Sequence, residues 1–600
     1  MARFKVAPWT IENVLNCIKN NEIAIPELQR PFVWDGTKIR NLIDSLYQGY
    51  PVGYLIIWQN PNLQDKEGNS TNGKKIMIDG QQRVTALMAA ITGQMVYDKQ
   101  YHKKRYVISF NPNVEEGSSP FEVLRADIQK DNRWIKDISE LFSVNFSSRA
   151  FLNNYEKLNP DADIDRLEKL INGIKNIVQT PIGVIELDND LPLPMVSEIF
   201  KRINSEGSPL TQTDFVMSTI AANNTQNGNS MRKTLDYFFH SLKSVKFLDQ
   251  VALEDKEFSA TDYYKLIYWV NNTHVMYQPS IDDIIRIAFM SQYDRAKIES
   301  LVELLNGRNF DTRKYENEIL VDSYNKFEAG IKETLKQYNF LQFVELMKTA
   351  GFVIEKMLKA RMPLVFAYML FIRLSKDTSI DKLKVQHYVQ KWYVLSLLTS
   401  RYSSSPETAM ESDLREIKSK GFVEFFKEAL ANLGDTFWNV TIPQNLQSSS
   451  TSTPAYVVYL AAQCKMGDNA FLGNGAKVGF VIESGDVHHL FPKKYLQKNG
   501  YDNVVQYNQV ANLAVLSTPI NISISDSAPC DYLKKTYDDI ASGVETKYTT
   551  LRTLEELEEN LKGNCIPANM KDMDVTKYDE FLKERRVLMA KKIKKYFDSL

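Results

Sequence analysis

Six hundred residues are too many for one hydrophobic core, so the chain is expected to fold as two to four domains. The composition, 44% hydrophobic and 24% charged with a net charge of −1, is that of an ordinary folded protein and excludes a global field that gathers nucleic acid, leaving only local basic patches for that purpose. Four scattered cysteines (Cys17, Cys464, Cys530, Cys565) with no Cys-x-x-Cys pair argue against a zinc knuckle or a disulfide framework, and the longest apolar run, Leu364 to Ile372, is too short to span a bilayer.

The N-terminal stretch "MARFKVAPWTIENVLNCIKNNE" has charges where a signal peptide needs an apolar centre, so a cytoplasmic protein with no membrane partner is expected. The first part alternates strand-like and helical runs. "GYLIIW" (Gly53 to Trp58), "KKIMID" (Lys74 to Asp79), "RYVISF" (Arg105 to Phe110) and "IGVIEL" (Ile182 to Leu187) have strand length and strand composition. In "TKIRNLIDSLYQG" the apolar residues Ile39, Leu42, Ile43 and Leu46 follow helical spacing, and Gly49 suits a C-cap. These runs predict a mixed α/β domain over residues 1–235. From Tyr237 to Trp438 strand signals nearly vanish, and "ATDYYKLIYWV", "FVELMKTAGFVIEKML" and "VQHYVQKWYVLSLLTSRY" read as long helices of a coupling or assembly domain over 236–445. "QNLQSSSTSTPAYVVYLAAQ" is a linker that ends in a helix start, with Thr453 as N-cap and Pro454 at the first helical position. Residues 446–600 read as a compact α/β segment closed by the basic helix "FLKERRVLMAKKIKKYF".

Two stretches carry chemistry. "KKIMIDGQQRVTALMAAI" predicts a strand, a tight turn at Gly80 and a helix. The backbone N–H groups of Gln81, Gln82 and Arg83 then lie at a helix N-terminus, where anions and phosphates bind. Arg83 adds a permanently charged planar fork. Asp79 is placed to hold a magnesium ion, and Gln81 or Gln82 to orient a water. Upstream, "IPELQRPFVW" supplies Gln29 and Arg30, with Trp34 as a stacking surface. A plain strand–helix junction, with Asp79 as a cap and Arg83 solvated, fits the same residues, and their chemistry alone leaves both readings open.

The second stretch is "DVHHLFPKKYL", which holds two of the six histidines side by side. Metal-dependent phosphodiester hydrolysis needs a base for water, a group to orient that base and hard ligands for a divalent cation. "VGFVI" (Val478 to Ile482) is a first strand candidate. "NQVANLAVLSTPIN" gives a second strand over Asn512 to Ser517, flanked by Asn508 and Asn521. On this layout His489 is the general base and Asn512 fixes the backbone beside it. His488 and Asn521 are metal ligands, with Asp486 as an outer ligand on the same strand face as His488. Lys493 and Lys494 are placed for a phosphate backbone. A histidine pair that merely sits on a strand, one side chain in and one out, is the structural alternative.

Taken together, "IPELQRPFVW", "IDGQQRVTAL" and "FKRINSEGSPLTQTDF" resemble the N-terminal domain of the GmrSD-type restriction endonucleases. That domain is similar to the ParB/sulfiredoxin-like fold, and the resemblance implies binding and hydrolysis of a nucleoside triphosphate through the D-G-Q-Q-R motif, here Asp79 to Arg83. Asn204, Gly207 and Leu210 match the family's third motif. "DVHHLFPKKYL" with "NQVANLAVLSTPINISISDSAPCDYL" resembles the C-terminal His-Asn-His (ββα-metal) nuclease domain of the same proteins, and "SRYSSSPETAMESDL" resembles the stretch between the two. His488 departs from the many such nucleases that carry an acid there; imidazole is a softer ligand, which leaves magnesium, manganese or another metal open. The resemblance covers Ile25 to about Leu533. It implies a multidomain α/β + α architecture: a ParB-like domain, a helical middle and an HNH nuclease. It further implies a nucleotide-regulated, metal-dependent endonuclease of the modification-dependent (type IV) kind, acting as a homodimer on modified double-stranded phage DNA. A nucleotide-hydrolysing regulator and a DNA-binding scaffold without nuclease activity are the rival expectations.

Overall fold

The computed structural model describes residues 3–20, 22–24, 34–59, 75–97, 103–114, 119–189, 191, 195–196, 199, 212–223, 225–484 and 487–600. The chain divides into two compact units: Met1–Asn271 with Ile298–Lys326, and Asn272–Lys297 with Phe327–Leu600. The divisions expected at 235 and 445 fall inside the first and the second unit respectively.

The first unit is built on a five-stranded sheet. Its strands are β1 (Phe4–Thr10), β2 (Ile23–Ala24), β3 (Tyr54–Gln59), β4 (Lys75–Asp79) and β9 (Pro181–Leu187), in the order β1-β9-β3-β4-β2. Between them, β5 (Val96–Tyr97) pairs with β6 (Lys103–Lys104), and β7 (Ile108–Phe110) with β8 (Phe121–Val123). β3 is central, so Leu55, Ile56, Ile57 and Trp58 are all buried and the strand reads as a continuous apolar run rather than an alternation. One face packs Leu55, Ile57, Met77, Ile182 and Val184 against Val14 and Ile18 of α1 (Ile11–Lys19) and Val84 of α3 (Gln81–Ile91). The Thr10 side chain caps α1 by accepting from Asn13 N at 3.1 Å. α2 (Gly36–Tyr47) buries the four predicted residues Ile39, Leu42, Ile43 and Leu46 in a second cluster, and Gly49 follows its end at φ +75°. The strand expected at Arg105 to Phe110 shortens to β7, because its partner β8 is only three residues long. Among the other described residues of this unit the regular structure is mostly helical and includes α4 (Gly228–Lys243).

The helical expectation for Tyr237 to Trp438, a stretch shared by the two units, is met with two corrections. "FVELMKTAGFVIEKML" is not one helix: the helix Gln337–Thr349 ends before Gly351, which takes φ +98°. A Cβ there would run into the Ala461 carbonyl, so the backbone both turns left-handed and lies against its neighbour. "ATDYYKLIYWV", in the first unit, is a short helix Asp262–Ile267 followed by a 3-10 turn. The run Leu364 to Ile372 lies in α5 (Arg361–Lys376) and is buried on all sides, as suits a helix at the centre of a unit. Among the described residues no helix is long and apolar enough to cross a membrane. Arg401 follows the end of α6 (Lys382–Leu398). Its guanidinium makes a two-pronged pair with Asp413 of α7 (Pro406–Lys420) at 2.7 and 2.6 Å and lies 5.1 Å above the Trp392 ring. α8 (Pro454–Met466) starts at Pro454 as expected, but the Thr453 hydroxyl donates to Ser450 O (2.9 Å) instead of capping it.

The apolar run "VGFVI", expected as a strand, is the helix α9 (Val478–Ser484). Val478 is buried and Phe480 is 79% exposed. A four- or five-residue apolar run fits either element, and tertiary context decides between them. The strand that carries the histidines is β10 (Val487–His489), whose partner is β11 (Leu513–Val515).

Candidate functional site

At the end of β4 the sheet ladder slips by one residue: Ile56 pairs with Asp79 but Ile57 pairs with Met77, leaving Ile78 as the extra residue beside Asp79. Gly80 follows at φ +96°, and a Cβ there would overlap the Leu55 side chain, so both conformation and space demand glycine. α3 begins at Gln81, and its N-cap, Gly80, has no side chain to cap the first-turn N–H groups at the positive end of this eleven-residue helix. Gln81 is 3% exposed. Its Nε2 donates to Met77 O at 2.8 Å, while its Oε1 is buried without a hydrogen-bond partner. Gln82 is half-buried.

Asp79 and Arg83, expected to take separate partners, pair with each other: Arg83 Nη2 donates to Asp79 Oδ2 at 3.2 Å and Nη1 to Val52 O at 2.7 Å. Gly53, at φ +89°, makes room for this guanidinium, since a Cβ there would overlap Nη1. Burial lowers the Arg83 pKa and Asp79 opposes that shift; the group stays charged, with donors to spare beyond these two bonds. Trp34, expected as a stacking surface, packs onto the core cluster of α2 and α3. Gln29, Arg30, Asn204, Gly207 and Leu210 lie outside the described residues.

In the second unit β10 and β11 form an antiparallel hairpin, with His488 opposite Ala514 and His489 opposite Leu513, and α12 (Thr518–Ile524) follows directly. The connection between the strands carries α10 (Lys493–Lys498), α11 (Val504–Tyr507) and a 3-10 turn Val510–Asn512. His489 is half-buried. Its Nε2 lies 2.8 Å from Asn508 Oδ1, so Nε2 carries the proton and donates, and Nδ1 keeps its lone pair. The ring meets Tyr507 edge-on, and the Lys493 ammonium sits 5.0 Å over that same tyrosine. Burial pushes the imidazole pKa below its ordinary value; the Asn508 bond opposes this and Lys493 adds to it.

Asn512 is fully buried and does not act on the histidine ring. Its Nδ2 donates to Phe491 O and Tyr507 O, both at 3.1 Å, and its Oδ1 accepts from Phe491 N at 2.8 Å. It thereby ties the two ends of the connection together: Phe491 lies two residues after His489, and Tyr507 one before Asn508. Asn508, placed by the sequence only as a flanking residue, is the histidine's direct partner. The signal available was the pair of asparagines in "NQVAN", but strand periodicity is silent about a residue at a helix end.

His488 lies half-buried on the hairpin, Asn521 half-buried in the first turn of α12, and Lys494 exposed on α10; Asp486 lies outside the described residues. Among the described residues no three His, Cys, Asp or Glu side chains cluster as a metal site. His488 and Asn521 offer one imidazole nitrogen and one amide oxygen, a sparse neutral set that suits a cation completed by water and phosphate oxygens.

Residues 11–221 match the family model described as the GmrSD restriction endonuclease N-terminal domain, a span that contains the whole turn from Asp79 to Arg83. Over 638 residues, covering 97% of this chain and 98% of the other, the sequence is 25% identical to an uncharacterized protein of Methanocaldococcus jannaschii.

Proposed function

We propose that the chain is a nucleotide-regulated, divalent-metal-dependent DNA endonuclease of the modification-dependent restriction kind, working as a homodimer, with a His-Asn-His nuclease site in its second unit. The match of residues 11–221 to a restriction endonuclease domain supports the general class. The observation that carries the site is the His489–Asn508 bond on a strand–strand–helix frame whose connection is tied shut by Asn512. In this reading His489 Nδ1 takes a proton from the attacking water, and the Nε2–H bond to Asn508 Oδ1 holds the ring in the productive tautomer and stabilises the imidazolium. Asn512 keeps His489 and Asn508 at a fixed separation. His488 and Asn521 would hold the cation, which when bound supplies positive charge to the transition-state phosphate and the leaving oxygen. Lys494 is free to meet a neighbouring phosphate.

In the first unit the backbone N–H groups of Gln81, Gln82 and Arg83 at the start of α3 and the remaining donors of Arg83 would take the phosphates of a nucleoside triphosphate. Gln81, with its amide nitrogen fixed on Met77 O, would present its buried Oε1 to a water or ligand donor, and Asp79 would exchange its ion pair with Arg83 for the nucleotide's metal. The test is one set of reactions with modified and unmodified plasmid DNA, with metal, with and without each nucleotide. Cutting of the modified DNA supports the proposal. Phosphate release alone would identify a nucleotide-hydrolysing regulator, and a mobility shift alone a DNA-binding scaffold.

A further inference from the structure

The last helix, α13 (Tyr578–Ser599), reads from sequence as a basic helix. One of its cations stands apart. Arg585 is fully buried, and among the described residues no carboxylate lies within ion-pair distance. Its partners are carbonyls: Nη1 donates to Ala511 O at 2.8 Å and to Leu513 O at 2.7 Å, and Nη2 to Asn564 O at 3.1 Å. Nε is buried with no partner. A permanent charge without a counter-ion is costly to bury, and a well-packed apolar side chain commonly serves stability as well or better. The arrangement therefore calls for a reason beyond packing.

Its place supplies one. Ala511 and Leu513 are the residues on either side of Asn512. We propose that Arg585 is the positioning residue of the hairpin site: it clamps the peptide carbonyls that flank Asn512, and so sets the distance between His489 and Asn508. This rests on the reading of His489 as the general base. The chain of contacts is continuous. Arg585 holds the backbone at 511 and 513; Asn512 between them holds Phe491 and Tyr507; those residues carry His489 and Asn508, which bond each other. The same face of α13 grips the connection at further points. Tyr578 donates to Gln506 O at 2.9 Å, Arg586 to Gln509 Oε1 at 3.0 Å, and Phe581 packs on Phe491 with ring centres 4.9 Å apart. The far end of the helix is anchored in turn: Tyr596 donates to Ala350 O at 2.6 Å and Phe597 packs on Trp438. Nη1 alone takes both carbonyls beside Asn512, and Nη2, held rigidly beside it in the same plane, ties that nitrogen to a third carbonyl at Asn564; the ammonium of a lysine ends nearer the helix and lacks the second arm that fixes its place.

The experiment compares wild type, Arg585→Lys and Arg585→Gly in full-length protein, with His489→Ala as the reference for the site. The readouts are plasmid cutting (kcat and KM), nucleotide hydrolysis, thermal unfolding and the His489 ring Nε2–H resonance. Arg585→Lys is expected to unfold near the wild-type temperature and to keep nucleotide hydrolysis and KM for DNA. Its kcat should fall by about 10- to 100-fold, the scale of a reacting group displaced by an ångström or less, and its His489 Nε2–H signal should move or broaden. In Arg585→Gly, added guanidinium ion should restore cutting several-fold where ammonium does not. Cutting and resonance both unchanged in Arg585→Lys would overturn the proposal, as would activity and nucleotide hydrolysis falling together with the unfolding temperature, which marks a purely structural residue. If His489→Ala itself still cuts, the reading of the site fails and the proposal with it, an outcome distinct from the other two.

Discussion

The turn at Asp79–Arg83 and the hairpin at His489 solve the same problem, holding polar groups in fixed positions, in opposite ways. The turn is contiguous: five consecutive residues, one left-handed glycine, a ladder slip and an ion pair across one helical turn. The hairpin site is assembled from residues scattered over nearly a hundred positions, from His488 to Arg585, and its polar side chains mostly grip backbone rather than each other. A contiguous site tolerates change elsewhere in the chain and fails when its own residues change. An assembled site fails through its supports as well.

Changes at the two sites should therefore separate. The largest expected effect is at the base. His489→Ala should lower cutting of modified plasmid by about 10²- to 10⁴-fold while nucleotide hydrolysis stays at the wild-type rate, because the two sites belong to different compact units; wild-type cutting by this variant would remove His489 from the mechanism. Next is Arg83→Ala, which loses a charge-assisted fork and also leaves Asp79 without its partner. Nucleotide affinity should weaken by roughly 10- to 100-fold, measured by calorimetric titration. If nucleotide governs the nuclease, cutting by this variant should no longer respond to added nucleotide, and identical cutting rates with and without nucleotide in wild type and variant alike would dissolve the link between the sites.

A smaller loss is expected at Asn508→Ala. One neutral hydrogen bond to the histidine ring disappears, corresponding to about tenfold in kcat, with no change in the metal concentration needed for half-maximal cutting. His488→Ala should do the reverse, raising that concentration; equal metal responses in the two variants would mean the ligand and the orienting residue have been exchanged.

The smallest effect on either activity belongs to Asp236→Asn, in α4 and at neither site. Burial pushes the Asp236 carboxyl up to about 7, with Arg232 pulling the other way. A carboxyl raised in the fold keeps its proton where the unfolded chain has lost it, so it makes the protein progressively less stable as pH rises from about 4 to about 7, and no further above that. Nearby His240, which burial lowers to about 4, works in the opposite sense between about 4 and its ordinary value of 6.5. Comparing the Asp236→Asn variant with wild type removes the histidine from the account. The stability difference should move in favour of the variant across pH 4 to 7, by at most about 4 kcal/mol, while cutting and hydrolysis at neutral pH match wild type. A pH-independent difference in denaturant unfolding would rule out an ionising Asp236.

What the sequence determined by itself is what short-range constraints determine. The strands at Tyr54–Gln59, Lys75–Asp79 and Pro181–Leu187, the helix that buries Ile39, Leu42, Ile43 and Leu46, and the turn at Gly80 follow from strand composition and length, from the 3.6-residue helical period and from φ preferences within a few residues. The candidate residues of both sites were named from the same local patterns. Tertiary structure decided the rest. It made "VGFVI" a helix, broke a long helix at Gly351 against Ala461, turned Asp79 and Arg83 toward each other, drew Trp34 into a core and gave His489 the amide of Asn508. It also took Arg585 out of a basic helix and set it against the carbonyls beside Asn512. The physical reason is that a side chain's surroundings, the apolar surface it can cover and the polar partners within its reach, are set mostly by chain segments remote in sequence, which no local periodicity encodes.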